Sequence, residues 1–270
     1  MATPDIQAPQ IQTQTATART VSVWRQMPWW LLAIIGFLVF MAYLIARTPE
    51  YGETFEFVLP GIRLTLFITL VAYGIALVLG LFAGLGRIAN NLLIRNIATT
   101  YIEFIRGVPT LVLIFTTAFV IVPAASDALG FENASISMTW RAIAALSLIY
   151  GAFLAEIFRA GIESIAHGQM EAARSLGMTY RQAMTYIILP QAIRNISPAL
   201  GNDFIAMLKD SSLVSVLAVR EVTQRGRLYA GSTFRFRESY LVVTFLYLAM
   251  TIALSLLLRW YERRIGKDAR

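Results

Sequence analysis

The chain has 270 residues, of which 57% are hydrophobic and only 14% are charged, and its mean hydropathy is +0.62. Soluble domains carry about 25% charged residues and roughly 45–50% apolar ones, so this composition excludes a soluble enzyme, a disordered chain and a collagen-like chain. With no cysteine and a single histidine, His167, the sequence also excludes a disulfide framework, thiol catalysis and a His-rich metal site. The formal charge of +7 fits the basic cytoplasmic loops of a membrane protein, and no nucleic-acid partner is expected.

Six stretches of the sequence are candidates for membrane-spanning helices, because about 20 mostly apolar residues cross a bilayer. Four of them contain no charged residue: 29–46, 64–86, 107–126 and 239–258. The stretch 142–155 is followed by charged residues, and 196–219 contains three of them, which favours protein-lined positions over lipid contact. The sequence therefore predicts an all-α membrane protein, preceded by a disordered cytoplasmic tail over residues 1–27.

Gly80 and Gly84 lie four residues apart within the second predicted span. Such a pair of small residues lets another helix approach closely. Glycine is also common in membrane helices for no specific reason, so the pair alone does not decide between the two interpretations.

The basic residues predict an orientation, since arginine and lysine concentrate in cytoplasmic loops. With six spans and a cytoplasmic N-terminus, most of them fall on the cytoplasmic side, and the C-terminus is cytoplasmic too. One basic group contradicts the pattern because it falls on the outer side: Arg220, Arg225, Arg227, Arg235 and Arg237.

Residues 161–195, which we refer to as the 161–195 loop, connect the fourth and fifth predicted spans. Their mixture of charged and apolar residues is typical of short amphipathic helices. We expect Gly177 to end the first helix in a left-handed conformation, Thr179 to cap the next one together with Gln182, and Pro190 to break it. Helix, turn, helix and stop on the cytoplasmic side form a surface suited to a partner.

The 161–195 loop also carries a spaced motif that resembles the cytoplasmic loop motif of ABC importer permeases. Its positions are Glu171, Ala172, Ala173, Gly177, Ile187, Leu189 and Pro190. Three further blocks resemble the polar amino acid permeases of the histidine, glutamine and arginine type: 101–109 (YIEFIRGVP), 148–161 (LIYGAFLAEIFRAG) and 201–216 (GNDFIAMLKDSSLVSV). The resemblance covers roughly residues 57–265, and Val108 replaces the threonine that is usual there.

This resemblance implies a fold, a location and a set of partners. The fold is the type I ABC importer transmembrane fold, with a five-helix core over 57–265 and an extra N-terminal span over 28–47. The location is the bacterial inner membrane. The partners are a dimer of ATP-binding subunits, a second permease chain that is identical or homologous, a periplasmic substrate-binding protein and an amino acid substrate. Coupling to the ATPase would involve Glu171, Ala172, Ala173, Gly177, Leu189 and Pro190.

The sequence contains no Gly-x-x-x-x-Gly-Lys-Ser/Thr phosphate loop. We therefore expect a chain that is not an enzyme, has no catalytic residue and holds no cofactor or metal. ATP and Mg²⁺ would belong to the partner ATPase.

Two helical pairs of opposite charge are expected near the cytoplasmic interface, since residues three apart are neighbours on a helix. Glu103 and Arg106 form a candidate structural pair. Glu156 and Arg159 repeat the spacing, and small residues before Glu156 leave room beside its helix. Glu156 could face the translocation path or form a structural pair with Arg159, and the sequence leaves both open.

A polar face is predicted within the span at 196–219. Asn202 and Lys209 are seven residues apart and so share a helix face, where Lys209 could meet a substrate carboxylate. The alternative is that Lys209 and Asp210 lie at an irregular bend and pair with neighbouring helices. Charges inside a membrane are costly and need partners or water in either case.

The function that these observations predict is that of the permease subunit of an ATP-driven polar amino acid importer. The alternative is an ATP-independent secondary transporter of a small polar solute, which would explain the intramembrane charges equally well. Such transporters often contain inverted repeats, and the sequence has no matching halves. A membrane-bound enzyme would need a nucleophile and base or a metal site, for which the residues are lacking.

Overall fold

The computed structural model describes residues 29–130 and 136–265, and every regular element in that part of the chain is helical. The expected tail over residues 1–27 lies outside it. The α-helices are α1 (Trp29–Arg47), α2 (Pro49–Val58), α3 (Gly61–Arg87), α4 (Leu92–Gly107), α5 (Thr110–Thr116), α6 (Val122–Ala128), α7 (Met138–Glu163), α8 (His167–Ser175), α9 (Tyr180–Ala183), α10 (Leu189–Asp210), α11 (Val222–Thr233) and α12 (Phe236–Ile265).

Five helical segments among the described residues are long and apolar enough to cross a membrane: Trp29–Arg47, Pro49–Arg87, Thr110–Ala128, Met138–Glu163 and Phe236–Tyr261. They agree with five of the six predicted spans. The segment Met138–Glu163 is much longer than its prediction, because the helix continues through Glu156 and Arg159 to Glu163.

The predicted span at 196–219 is wrong in its bounds. Helix α10 ends at Asp210, a 3₁₀-helix follows over Ser211–Leu217, and Ala218 has a left-handed backbone with φ of 57°. The helix closes at Ser211, whose hydroxyl donates to the Leu208 carbonyl at 2.7 Å. Lys209 and Asp210 therefore lie in the last turn of α10 rather than in the middle of a span, and a cation there is favoured by the helix dipole.

Pro190 does not end a helix, contrary to the prediction. The chain is helical from α9 through a π-helical turn, Met184–Ile188, into α10. The ring of a proline clashes with the carbonyl four residues earlier in a regular helix, and a π-helical turn locally alters that geometry. The same arrangement precedes Pro123, where the π-helical turn Thr117–Ile121 joins α5 to α6.

Helices α3 and α7 pack closely through the predicted glycine pair. A Cβ atom at Gly80 would lie 2.7 Å from Leu154 Cβ, and one at Gly84 would lie 2.7 Å from the Ala155 carbonyl oxygen. Both distances are too short for any side chain, so the two helix backbones approach as only glycine permits. The interpretation of the pair as a helix-packing site is confirmed.

The largest apolar core surrounds α7, which is buried on most of its faces between α3, α5 and α10. A second cluster joins α1, α2, α11 and α12 through Met41, Val58, Val222 and Val242. Most of α1 is exposed in this chain, with only Met41 buried, as expected for a helix added beside a core and facing lipid. A third, smaller cluster lies beneath the 161–195 loop and fixes that loop against α7 and α10.

Candidate functional site

The first half of the 161–195 loop is helix α8, which ends in a Schellman motif. The Gly177 N–H donates to the Arg174 carbonyl at 3.0 Å, and the Met178 N–H donates to the Ala173 carbonyl at 3.2 Å. Gly177 has a φ of +83°, the left-handed conformation that glycine adopts without strain. The predicted left-handed end of this helix is confirmed.

Helix α9 begins with the capping box that its sequence predicts. The Gln182 N–H donates to Thr179 Oγ1 at 3.3 Å, and the Thr179 N–H donates to Gln182 Oε1 at 2.9 Å. The box satisfies backbone donors that a helix N-terminus otherwise leaves unpaired. Two helix ends and the turn between them are therefore each fixed by local hydrogen bonds.

The motif residues of the loop divide into exposed and buried positions. Glu171, Ala172 and Gly177 are exposed, whereas Ala173 is buried and holds α8 against the loop's own core. Leu189 is half-buried and Pro190 is exposed. The sequence analysis did not single out Leu176, whose side chain is 84% exposed, the highest value among the large apolar residues described. Leu176 lies directly before Gly177 in the turn that joins α8 to α9.

The second group of predicted residues forms a charge network where α3, α4 and α7 meet. Arg87 pairs with both Glu103, at 2.7 Å, and Glu156. Arg159 lies 2.9 Å from Glu156, as its spacing predicts, and Arg106 Nη1 lies 3.8 Å from the same carboxylate. The predicted pair of Glu103 with Arg106 is therefore wrong. Glu103 pairs with Arg87, and Arg106 lies near Glu156. Arg87 is the member that sequence reasoning missed, because it lies on another helix.

Three guanidinium groups surround the Glu156 carboxylate, whose side chain is only 19% exposed. A partly buried carboxylate with that many cations has its charge compensated within the protein. This geometry favours the structural alternative for Glu156 over direct contact with a substrate.

The predicted polar face of α10 is present at the protein surface. Asn202 and Lys209 are both exposed. Asp210 is half-buried and accepts a hydrogen bond from the Tyr150 hydroxyl at 2.8 Å, so this carboxylate joins α10 to α7. Lys209 and Asp210 therefore differ: the carboxylate has a partner within the chain, and the ammonium group points to a groove.

The groove next to Lys209 has a volume of about 430 Å³, and its lining surface is mostly apolar although several of the residues that line it carry a hydroxyl group. Its lining residues are Lys209, Ser212, Thr223, Val243, Thr244, Tyr247, Leu248 and Thr251. Sequence reasoning missed the part contributed by α12, although a signal exists: Tyr240, Thr244, Tyr247, Thr251 and Ser255 recur every three or four residues. In an otherwise apolar helix, that spacing places the hydroxyl groups on one face.

Glu221 holds one wall of this groove in place. Its fully buried carboxylate caps α11 by accepting the N–H groups of Thr223, at 2.8 Å, and Gln224, at 2.7 Å, and the Tyr247 hydroxyl donates to it at 2.7 Å. Burial raises the pKa of the Glu221 carboxyl, and these hydrogen bonds oppose the shift. The carboxyl group thus links α11 to α12 and orients Tyr247 within the groove.

The family model described as "Binding-protein-dependent transport system inner membrane component" matches residues 76–267. The chain belongs to this family. The match spans the 161–195 loop, the Arg87 network, the α10 face and the groove, so all of the candidate site lies within the family's region.

Relatives of this chain resemble it over most of their length. The chain is 39% identical over 218 residues to the probable amino-acid permease protein YxeN of Bacillus subtilis (strain 168), covering 81% of this chain and 95% of that one. It is 35% identical to the glutamine transport system permease protein GlnP of Escherichia coli (strain K12), with 76% and 91% covered. These relatives confirm the expected family of amino acid ABC permeases.

Solved structures share the fold of this chain. A crystal structure of an amino acid ABC transporter with histidines contains a chain that is 38% identical, with a TM-score of 0.69, over 83% of this chain and 98% of that one. A chain of the MetNI methionine ABC transporter in an inward-facing conformation is 21% identical, with a TM-score of 0.63 over 80% of this chain. The expected type I ABC importer fold is confirmed.

Proposed function

We propose that the chain is the permease subunit of an ATP-driven importer of polar amino acids in the bacterial inner membrane. The observation that supports this most strongly is the likeness to the amino acid ABC transporter crystallised with histidines, which extends over 98% of that chain. Two permease chains, identical or homologous, enclose the path. Both termini of each are cytoplasmic, which requires α10 to cross the membrane in addition to the five apolar spans. A periplasmic binding protein delivers the amino acid, and a dimer of separate ATPase subunits binds ATP and Mg²⁺.

Coupling to the ATPase takes place at the exposed surface of the 161–195 loop. Glu171 and Leu176 contact the ATPase, Ala173 and Leu189 hold the loop to the core, and Gly177 sets the angle between α8 and α9. Ala172 and Pro190 are exposed on the same loop. When ATP closes the ATPase dimer, the two loops approach each other and the helix bundles rotate as rigid bodies, which gives alternating access.

The translocation path follows the exposed polar face of α10 and the groove beside it. Lys209 binds the substrate carboxylate, and Asn202 lies along the same face. Asp210 positions this turn of α10 through Tyr150. The groove is wide enough for a small zwitterion, since ligand pockets of this kind have volumes of about 300–1,000 Å³.

The proposed function is tested by uptake of radiolabelled amino acids into vesicles that contain the permease, its ATPase and loaded binding protein. Uptake should require ATP and the binding protein and should continue when ion gradients are collapsed. Uptake that follows an ion gradient and proceeds without ATP would instead support the secondary transporter.

A Lys209→Ala variant should take up substrate poorly while assembling normally with the ATPase. A hydrogen bond to a charged group contributes about 1.5–3 kcal/mol, so uptake at low substrate concentration should fall about 10- to 100-fold. Lys209→Arg, which keeps the positive charge, is the matched control and should retain more of the uptake. Normal transport by Lys209→Ala would remove Lys209 from the path.

A Glu171→Lys variant should bind the ATPase more weakly than the wild-type chain. Glu171 is exposed on α8, where its carboxylate meets a basic residue of the ATPase in the proposed complex, and the substitution turns attraction into repulsion. Co-purification at rising salt measures the effect, with Glu171→Gln as an intermediate control. Equal retention of the ATPase by all three proteins would place the contact elsewhere on the loop.

A further inference from the structure

The turn between α11 and α12 presents aromatic and basic side chains in alternation. We refer to Phe234, Arg235, Phe236 and Arg237 as the 234–237 tip. The Phe234 side chain is 80% exposed and that of Phe236 is 51% exposed. Arg237 is 77% exposed and lies 3.6 Å from Glu238 at its nearest approach, whereas Arg235 is held by Glu53 at 2.6 Å. The tip therefore combines two exposed rings with an exposed guanidinium group.

The backbone at Phe234 is unusual for a bulky residue. Its φ is +60°, and its N–H donates to the Ala230 carbonyl at 2.8 Å, which closes the C-terminus of α11. Glycine or asparagine ordinarily occupies such a position. Strained backbone of this kind tends to occur where the side chain has a function. The exposed Phe234 ring is therefore a candidate for contact with something outside the chain.

The tip lies at a defined depth relative to the membrane, because α12 begins at Phe236 and its apolar span runs over Phe236–Tyr261. The other end of this span is also aromatic and basic: Trp260 is 55% exposed, and Arg264 lies 4.4 Å from its ring centre. The 25 residues from Phe236 to Trp260 extend about 36 Å along a helix. That length places both ends within a bilayer whose thickness, with headgroups, is about 40–45 Å.

We propose that the 234–237 tip is a lipid anchor, in which Phe234 and Phe236 insert at the headgroup boundary and Arg237 binds the phosphate of an anionic phospholipid. Aromatic rings favour this depth, and guanidinium groups bind phosphate oxygens well. The anchor also accounts for Arg237, which lies on the side of the membrane where the positive-inside pattern does not expect an arginine. It fixes the outer end of α12, whose Tyr247 and Thr251 line the groove.

The depth of the tip can be measured directly because the chain contains no cysteine. A Phe234→Cys variant of the full chain, carrying a nitroxide and assembled with its ATPase, is placed in vesicles of phosphatidylcholine and phosphatidylglycerol. The label should be relaxed by lipid-soluble oxygen more than by a water-soluble nickel chelate. A label at Ser232, which is exposed two residues earlier on α11, is the control and should respond more strongly to the chelate.

Two outcomes of this experiment would overturn the proposal. One is a label at residue 234 that is as accessible to the nickel chelate as the label at residue 232. The other is a label that loses its accessibility only when loaded binding protein is added, since this would make the tip a protein-docking surface. Neither outcome depends on which solute is transported, so the anchor can fail while the proposed function stands.

The headgroup preference is tested by thermal unfolding of the complex in detergent with phosphatidylglycerol or phosphatidylcholine. The wild-type Tm should rise more with phosphatidylglycerol, Arg237→Gln should lose most of that difference, and Arg237→Lys should keep it. Phe234→Asn should also reduce the difference without unfolding the chain, because asparagine tolerates the left-handed backbone. An undiminished difference in Arg237→Gln would contradict binding of the anionic headgroup at the tip.

Discussion

A Gly177→Val variant is expected to insert and assemble normally but to lose most of the ATPase stimulation by loaded binding protein. Nothing lies within 4 Å of a Cβ atom built at Gly177, whose φ is +83°, so the substitution acts through the backbone alone. A left-handed residue with a Cβ costs about 1–2 kcal/mol, and a β-branched one is disfavoured further. The strain would open the Schellman turn and tilt α8 away from its groove on the ATPase.

Gly168→Val is the matched control for this variant. A Cβ atom at Gly168 also meets nothing within 4 Å, and its backbone lies outside the left-handed region. The control should keep its stimulation. The measurement is ATP hydrolysis in reconstituted vesicles, with and without binding protein and substrate. Full stimulation in Gly177→Val would mean that force enters through another part of the permease.

The second large effect is expected from Gly80→Val, which should destabilise the permease itself. Its Cβ atom would lie 2.7 Å from Leu154 Cβ and 3.1 Å from the Gly151 carbonyl oxygen. Overpacking costs about 1–3 kcal/mol, and a cost near the upper end is expected because the backbones of α3 and α7 must separate. A loss of about 3 kcal/mol would lower the Tm by roughly 6–12 °C.

Gly74→Val provides a control on the same helix. It lies six residues before Gly80, and a Cβ atom there meets nothing within 4 Å, so its Tm should stay close to that of the wild-type chain. Thermal unfolding of the purified proteins in detergent compares the two. Similar Tm values for both variants would mean that α3 and α7 can separate at little cost.

Local features of this structure could be predicted from the sequence, because the residues that determine them are neighbours in the chain. The left-handed Gly177 and the Thr179 capping box depend on hydrogen bonds that reach only three to five residues. Most of the spans follow from uncharged runs of sufficient length. The family motif also lies in the 161–195 loop, whereas the exposure of Leu176 on that loop became visible only in the structure.

Features that depend on packing between distant segments could not be predicted in this way. Glu156 and Arg87 are separated by 69 positions, and only the close packing of α3 on α7 brings them together. The partner of the Asp210 carboxylate is the Tyr150 hydroxyl, which lies on another helix 60 positions away. The regular spacing of hydroxyl residues on α12 was visible in the sequence. That some of them line a groove with Lys209 could be seen only in the structure.

In the proposed mechanism, the helical path from Tyr180 through the π-helical turn and past Pro198 to Asp210 would act as one lever arm. Its 31 residues extend about 45 Å. A tilt of about 5° at the Tyr180 end would then displace the Lys209 end by about 4 Å, by the geometry of a rod of that length. The arm begins beside the exposed loop surface and ends at Lys209, with no hinge loop between them. The length of this helical path would thereby set how far a tilt at Tyr180 displaces Lys209.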